Sequence, residues 1–378
     1  MSKAPKLRFK EFSGDWETYL LGKSITLYDN ERKPVKEQER KSGEYAYYGA
    51  TGIIDYIDDY IFEGEYLLLG EDGANIVTRN APLIYKTEGK FWVNNHAHIF
   101  KPKSKFDIDF MKQKLELINY IPYNTGTAQP KLNADSIKSI PFNAPKLEEQ
   151  EKIASFFSLI DDKISLQEQK VEALKDYKNG MMQKIFSREL RFKDDEGRDY
   201  PEWEEKKLGD IAYITMGQSP SSSCYNEEYI GLPLIQGNAD VKDRKTSPRL
   251  YTSEITKICE IGDIIMSVRA PVGAISMSLH NACIGRGVCS IKPKYSSEYI
   301  YQFLLKYESK WSQVSQGSTF ESVNSNDIKS LKIPFPNLDE QNKIGGFLRT
   351  IDNKIEKEQE KLDSLNEYKK GLLQQMFI

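Results

Sequence analysis

The chain has 378 residues, 39% hydrophobic and 29% charged, so it can bury a sizeable core and lacks the composition of a disordered polymer. Lys+Arg total 53 against 56 Asp+Glu, a formal charge of -3, which excludes a surface coated in positive charge and hence bulk electrostatic capture of nucleic acid. At about 150 residues per domain, the length predicts two or three domains.

The first segment, Met-Ser-Lys-Ala-Pro-Lys, has no apolar run of the signal-peptide kind. No stretch reaches the ~18 apolar residues of a membrane helix, so a cytoplasmic location is expected. Next come Leu7-Arg8-Phe9-Lys10, Trp16 and Leu21-Gly22. Short β-rich runs punctuated by Gly follow: residues 45–54, Tyr66-Leu-Leu-Leu and Phe91-Trp-Val, with a short helix around 110–118. Ile140-Pro141-Phe142 leads into a long apolar-periodic segment, 147–186, preceded by Pro145 and free of internal proline.

The chain then begins again. Leu190-Arg191-Phe192-Lys193, Trp203 and Leu208-Gly209 repeat the opening, with four residues inserted. A different β-rich middle contains Asp263-Ile-Ile-Met-Ser-Val and a short helix around 299–306. Ile333-Pro334-Phe335-Pro336 introduces residues 338–377, which match 147–186 without a gap, Leu147 answering to Leu338. Aligned identities include Glu149/Glu340, Gln150/Gln341, Ile160/Ile351, Asp161/Asp352, Tyr177/Tyr368 and Gly180/Gly371. Domains are expected at 1–145 and 188–337, with long helices over 146–187 and 338–378.

Spacings of three and four place Ile153, Phe156, Ile160, Ile164, Leu174 and Tyr177 on one stripe, and Ile344, Phe347, Ile351, Ile355, Leu365 and Tyr368 on the other. About 40 residues give a rod of roughly 60 Å. Such a stripe must pack on its counterpart, on a partner, or on both, and the like spacing fits a two-helix coiled coil. Asn337 is placed to cap the second helix with Glu340 at the third helical position, whereas Lys146 stands at the corresponding place in the first. Gln167 and Glu358 interrupt the stripes, as register setters or as solvated weak points. The expected architecture is α+β: two unlike mixed α/β domains and two long helices, arranged as a tandem repeat.

Catalytic signatures are missing. There is no G-x-x-x-x-G-K-[ST], no G-x-G-x-x-G and no Asn-Pro-Pro-Tyr loop. His96 and His98 alternate as on one strand face but have no third metal ligand nearby. Cys224, Cys259, Cys283 and Cys289 form no C-x-x-C pair and are read as reduced packing residues. No catalytic residue, metal or cofactor is expected in this chain.

Both middles carry loops dense in amides, hydroxyls and glycine. Arg, Gln and Asn can bond base edges bidentately, while Lys, Ser, Thr and backbone N–H suit phosphates. On that basis the first middle offers Tyr47, Tyr48, Asn75, Arg79, Asn94, Asn95, His96, Thr127, Gln129 and Lys131. The second offers Gln218, Ser219, Gln236, Asn238, Lys242, Arg244, Lys245, Arg269, Arg286, Gln316, Ser318 and Thr319. Charge is balanced in both: 17 Lys+Arg against 17 Asp+Glu over 20–146, and 14 against 12 over 207–337. Selectivity, or a partner's positive surface, has to carry any nucleic-acid binding.

The arrangement resembles the specificity subunit of type I restriction-modification enzymes. The resemblance spans residues 1–378 and rests on two dissimilar middles, each closed by Ile-Pro-Phe and Leu-x-Glu-Gln ahead of a long helix. Gly126-Thr127-Ala128-Gln129-Pro130 and Trp92-Val93-Asn94-Asn95-His96 in one middle, with Ile284-Gly285-Arg286-Gly287 and Gln316-Gly317-Ser318-Thr319 in the other, look like parts of target-recognition domains. The first middle departs in having Asn143-Ala144-Pro145 where the second has a proline directly after Phe335. The resemblance implies that each domain reads one half of an asymmetric bipartite DNA site through the major groove. It implies target-recognition domains separated by the two helices in an antiparallel coiled coil with pseudo-twofold symmetry, which sets the gap and docks two methyltransferase subunits that carry S-adenosylmethionine and modify adenine. ATP-driven motor-nuclease subunits complete the implied set of partners. Two other readings stand beside it: a two-headed coiled-coil adaptor for protein clients, and an enzyme acting alone.

Overall fold

A computed structural model describes residues 4–315 and 322–377. The chain forms two compact units, residues 1–168 with 361–378, and residues 169–360. The two long helices, Leu147–Phe186 and Leu338–Phe377, each contribute to both.

In the first unit, β1 (Glu17–Leu20) pairs antiparallel with β10 (Pro141–Ala144) at the base. Above it lie two four-stranded sheets. One has the order β2 (Ile25–Leu27), β9 (Ala97–Pro102), β6 (Tyr66–Gly70), β7 (Ile84–Thr87). The other has the order β4 (Gly52–Ile57), β3 (Ser42–Gly49), β8 (Lys90–Val93), β5 (Phe62–Glu63). The run Tyr66-Leu-Leu-Leu is apolar throughout because β6 is covered on both faces. Leu67 and Leu69 enter the main core, while Tyr66 and Leu68 enter a second core with Phe91 and Val93. The expected short helix is Ile108–Glu116, with Asp107 as its N-cap.

The second unit repeats the base, β11 (Glu204–Lys207) pairing with β23 (Lys332–Phe335). Its six-stranded sheet runs β12 (Ala212–Met216), β22 (Val288–Pro293), β19 (Ile264–Ser267), β20 (Ile275–Met277), β16 (Lys245–Thr246), β15 (Val241–Lys242). A five-stranded sheet runs β13 (Tyr225–Asn226), β17 (Leu250–Thr252), β14 (Leu232–Ile235), β21 (Ala282–Ile284), β18 (Ile258–Cys259). As with β6, the apolar run of β19 serves two cores, Ile264 and Met266 facing one and Ile265 the other. The helix expected near 299–306 is longer, Ser297–Ser315.

The sequence repeat is a repeat of contacts. Leu21 N–H donates to Ile140 O at 2.9 Å in the first unit, and Leu208 N–H to Leu331 O at 2.8 Å in the second. Gln150 Nε2 donates to Pro145 O and Gln341 Nε2 to Pro336 O, both at 2.8 Å. Arg8 forks onto Glu149 at 2.7 Å through Nε and Nη2. Arg191 holds Glu340 through the same two atoms at 3.3 and 2.9 Å. Asn337 caps the second helix by accepting from Glu340 N–H at 2.9 Å. The Glu340 side chain does not complete a capping box: it accepts from Arg191 and from Trp203 Nε1.

Inside each unit the two helices run in opposite directions. In the first, Ile153, Ala154 and Phe157 share a core with Leu372, Met376 and Phe377, and Lys369 pairs with Asp161. In the second, Met182, Ile185 and Phe186 share a core with Ile344, Leu348 and Ile351, and Lys178 pairs with Asp352 at 2.6 Å. Each fully buried apolar side chain contributes about 2 kcal/mol. Ile153, Ile164, Ile344 and Ile351 are buried as their spacing predicts, with Phe156, Ile160, Leu174, Phe347, Ile355 and Leu365 half-buried. Tyr177 and Tyr368 correct the sequence-based stripe, being 52% and 58% exposed. The next residue is the more buried one in each helix: Lys178 is buried and Lys369 half-buried, each with its ammonium met by an aspartate. Glu358 is buried and pairs with Lys170 at 3.0 Å, so it is no solvated weak point, while Gln167 is half-buried.

Beside the helices of the second unit, Gln302 is fully buried and donates to Glu298 at 2.9 Å and to Asp352 at 2.7 Å. Burial raises the Glu298 carboxyl above its ordinary range, and Asp352 adds to this; the Gln302 bond and the Arg349 and Lys178 charges oppose it. A carboxyl raised in the folded state favours folding at low pH and loses that contribution as pH rises past the usual Glu range. Glu298→Gln should therefore stabilise this unit, with a gain larger at pH 8 than at pH 4. Thermal melts of both proteins across that range check it; a gain independent of pH would assign the effect to packing.

Candidate nucleic-acid interface

Three loops of the first unit are stitched into one surface. Glu71 N–H donates to His96 O at 2.8 Å, Gly73 N–H to Pro130 O at 3.0 Å and Leu132 N–H to Glu71 O at 2.7 Å. Asn124 Oδ1 accepts from Gly126 and Lys131 N–H at 3.0 and 2.8 Å, closing the loop that presents Thr127 and Gln129. These bonds gather Asn95, His96, Thr127, Gln129 and Lys131, all exposed. His96 Nδ1 lies 2.8 Å from Asp72, and Lys131 is 3.2 Å from Glu71.

Beneath them, Arg32 contacts Glu71 and Ala97 O, both at 2.7 Å. His98 sits between Asp29, 2.5 Å from Nδ1, and Leu132 O, 2.8 Å from Nε2. Burial alone would raise the Asp29 carboxyl, but bonds from His98 and Ile99 N–H, with the nearby Arg32, hold it below the usual range. Both His98 nitrogens are engaged, and no group of three or more His, Cys, Asp or Glu suited to a metal occurs among the described residues.

Other candidates of the first unit have structural contacts. Tyr47 is 1% exposed; its hydroxyl accepts from Val35 N–H at 2.9 Å, and the Arg40 guanidinium lies 4.6 Å over its ring. Tyr48 is half-buried with its ring edge on Phe91, and buried Asn94 accepts from His96 N–H at 2.8 Å. Asn75 closes a turn through Ala81 and Pro82, and Arg79 is bound to Glu116.

The second unit holds a cleft of about 600 Å³ at the ends of β14, β19 and β21, lined by Ser219, Ser222, Tyr225, Gln236, Asn238, Ser267, Arg269 and Arg286 among others. Its floor depends on close backbone approach: a Cβ at Gly287 would meet Gln236 O at 2.1 Å, and one at Gly217 would meet Gly285 O at 2.1 Å. Asp240, buried, accepts from Gln236 N–H at 2.8 Å and Arg249 Nε at 3.0 Å. Gln236 Nε2 donates to the Tyr225 hydroxyl at 2.9 Å. Ser219 Oγ accepts from Arg286 N–H at 3.1 Å.

Cations around the cleft divide into two kinds. Arg244 pairs with Glu308 at 2.6 Å and Lys245 with Glu356 at 2.5 Å, both used within the unit. Arg269 and Arg286 are exposed, and neither guanidinium has a carboxylate partner among the described residues. Gln218 and Lys242 are exposed beyond the cleft's lining, whereas Gln316, Ser318 and Thr319 lie outside the described residues. Tyr225, absent from the sequence-based set, orients Gln236; a lone tyrosine after a serine run gives no signal of such a role. All four cysteines are free, and burial pushes the Cys289 thiol up to about 12, consistent with packing.

The fold defines a duplicated α+β protein that carries a distinct loop face on each copy of one scaffold. A family model for the type I restriction modification DNA specificity domain matches residues 13–176 and 200–367, and the chain belongs to that family. It is 35% identical over 255 residues to a Methanocaldococcus jannaschii protein named as a type I restriction enzyme specificity subunit, the match covering 65% of this chain and 60% of that one. It is 27% identical over 363 residues to a similarly named Haemophilus influenzae protein, covering 89% and 88%. The crystal structure of a type I restriction-modification system S subunit from M. genitalium has the same fold, with a TM-score of 0.66, 16% identity and 99% of both chains covered. No helix among the described residues is long and apolar enough to cross a membrane.

Proposed function

We propose that this chain is the DNA-reading specificity subunit of a type I restriction-modification complex and performs no chemistry itself. Each loop face reads one half of an asymmetric, bipartite duplex site, the recognition domains being 1–145 and 188–337. The helices 146–187 and 338–378 form an antiparallel coiled coil with pseudo-twofold symmetry, which sets the gap and docks two methyltransferase subunits. Those partners carry S-adenosylmethionine and modify adenine, and motor-nuclease subunits translocate and cleave. The observation that carries this reading is one set of scaffold contacts, Arg8–Glu149 and Arg191–Glu340 at its centre, supporting two unlike loop faces. Equal scaffolds suit equal partners, and unlike faces suit unlike half-sites.

Co-expression with its methyltransferase in a host free of other adenine methylation, followed by genome-wide mapping of methylated adenines, tests it. One asymmetric motif with a fixed internal gap is expected. A continuous motif, or methylation without sequence preference, overturns the reading.

A further inference from the structure

Arg269 and Arg286 come to one cleft from the two sides of a strand pair that ends there. Ser267 of β19 faces Val288 of β22, and Val268 N–H donates to Gly287 O at 2.9 Å one rung further on. Beyond it the ladder ends: Arg269 bridges to Ser322, Arg286 sits in the turn closed by Val288 N–H on Gly285 O, and both line the cleft. Like charges lining one cleft repel. Two other arginines of this region are neutralised, Arg249 by Asp240 and Arg244 by Glu308. Among the described residues this pair has no carboxylate partner, and neither Asp, Glu nor Lys lines the cleft. A ligand presenting adjacent acceptors would relieve the repulsion.

The third group in the cleft narrows the choice. Gln236 uses one of its two amide N–H groups on the Tyr225 hydroxyl, which fixes the amide's orientation and leaves Oε1 as an acceptor in a cleft with two guanidinium donors. A phosphate, acceptor on every side, would be repelled by Oε1. A G·C pair presents two acceptors, guanine O6 and N7, and one donor, the cytosine N4 amino group, along its major-groove edge.

Resting on the DNA-reading function proposed above, we propose that the second unit reads a G·C pair in the major groove. Arg269 and Arg286 supply the donors to guanine, and Gln236 Oε1 accepts from cytosine N4. Tyr225 is a positioning residue that keeps the Gln236 amide from turning over, and Ser219 fixes the backbone under Arg286.

The test uses the full chain in complex with its methyltransferase, on duplexes carrying the mapped motif. Each guanine is replaced in turn by 7-deazaguanine, which removes N7 and keeps base pairing. At one guanine of one half-site, affinity should fall about tenfold. In the double variant R269A/R286A the same replacement should change nothing further, because the group it removes has lost its partner. Mismatches in the other half-site should still cost that variant what they cost the parent, which shows that it is folded. Y225F should relax the preference for G·C at the same position. A half-site pair in which no guanine responds, or deaza penalties that persist in the double variant, would overturn the proposal and leave DNA reading intact. Loss spread evenly over all duplexes with a shallower salt dependence would make these arginines phosphate contacts and overturn it too. A complex that prefers no duplex at all would overturn both readings.

Discussion

Arg8→Met should destabilise the first unit by about 3–5 kcal/mol, the range for removing one partner of a buried ion pair. Glu149 is 2% exposed, and its two carboxylate oxygens each accept one bond from Arg8. Methionine fills much of the arginine's volume but leaves that carboxylate dry and alone. The corresponding Arg191→Met in the second unit should cost less. Glu340 is 0% exposed, yet it would keep Trp203 Nε1 as a donor at 2.8 Å. Trp16 offers no such help, since its buried Nε1 has no partner among the described residues. Hydrogen exchange read unit by unit on both variants measures the difference. The double change Arg8→Met with Glu149→Leu should recover most of the loss, because an apolar pair of similar volume needs no partner. Equal effects in the two units would mean that the tryptophan bond contributes nothing.

Gly287→Ala should abolish discrimination at the second half-site while leaving the first half-site readable. The added Cβ would stand 2.1 Å from Gln236 O, and backbone on backbone has no rotamer to relieve it. Either the β14 end moves away or the turn at 285–288 does. Both carry a recognition group, Gln236 on one side and Arg286 on the other. Overpacking of this kind costs about 1–3 kcal/mol of stability, less than unfolding requires for a unit of this size. Binding to duplexes mutated in one half-site at a time is the measurement. A variant that retains full discrimination would remove the cleft from the reading apparatus.

The repeat was legible because it is written in side chains that make the scaffold: Arg, Glu and Gln recur in both halves and make the same bonds twice. The long helices were legible from periodicity. Their inward lysines were not, since a lysine under an apolar stripe becomes reasonable only once Asp161 or Asp352 is seen beside it. The loop candidates were legible only as residue types. Asn75, Arg79, Arg244 and Lys245 have the right chemistry for DNA, yet the fold joins them to other parts of the protein. Arg269 and Arg286 look no different in the sequence.

Order along the chain was enough to establish a duplicated α+β protein with two long helices and two unlike middles, because secondary structure and repetition follow from local spacing. Which polar groups stay unpaired, and which two arginines come to line one cleft, required the folded chain. Pairing depends on residues such as 308 and 356, far from the loops in sequence and brought close only by the folding of the chain.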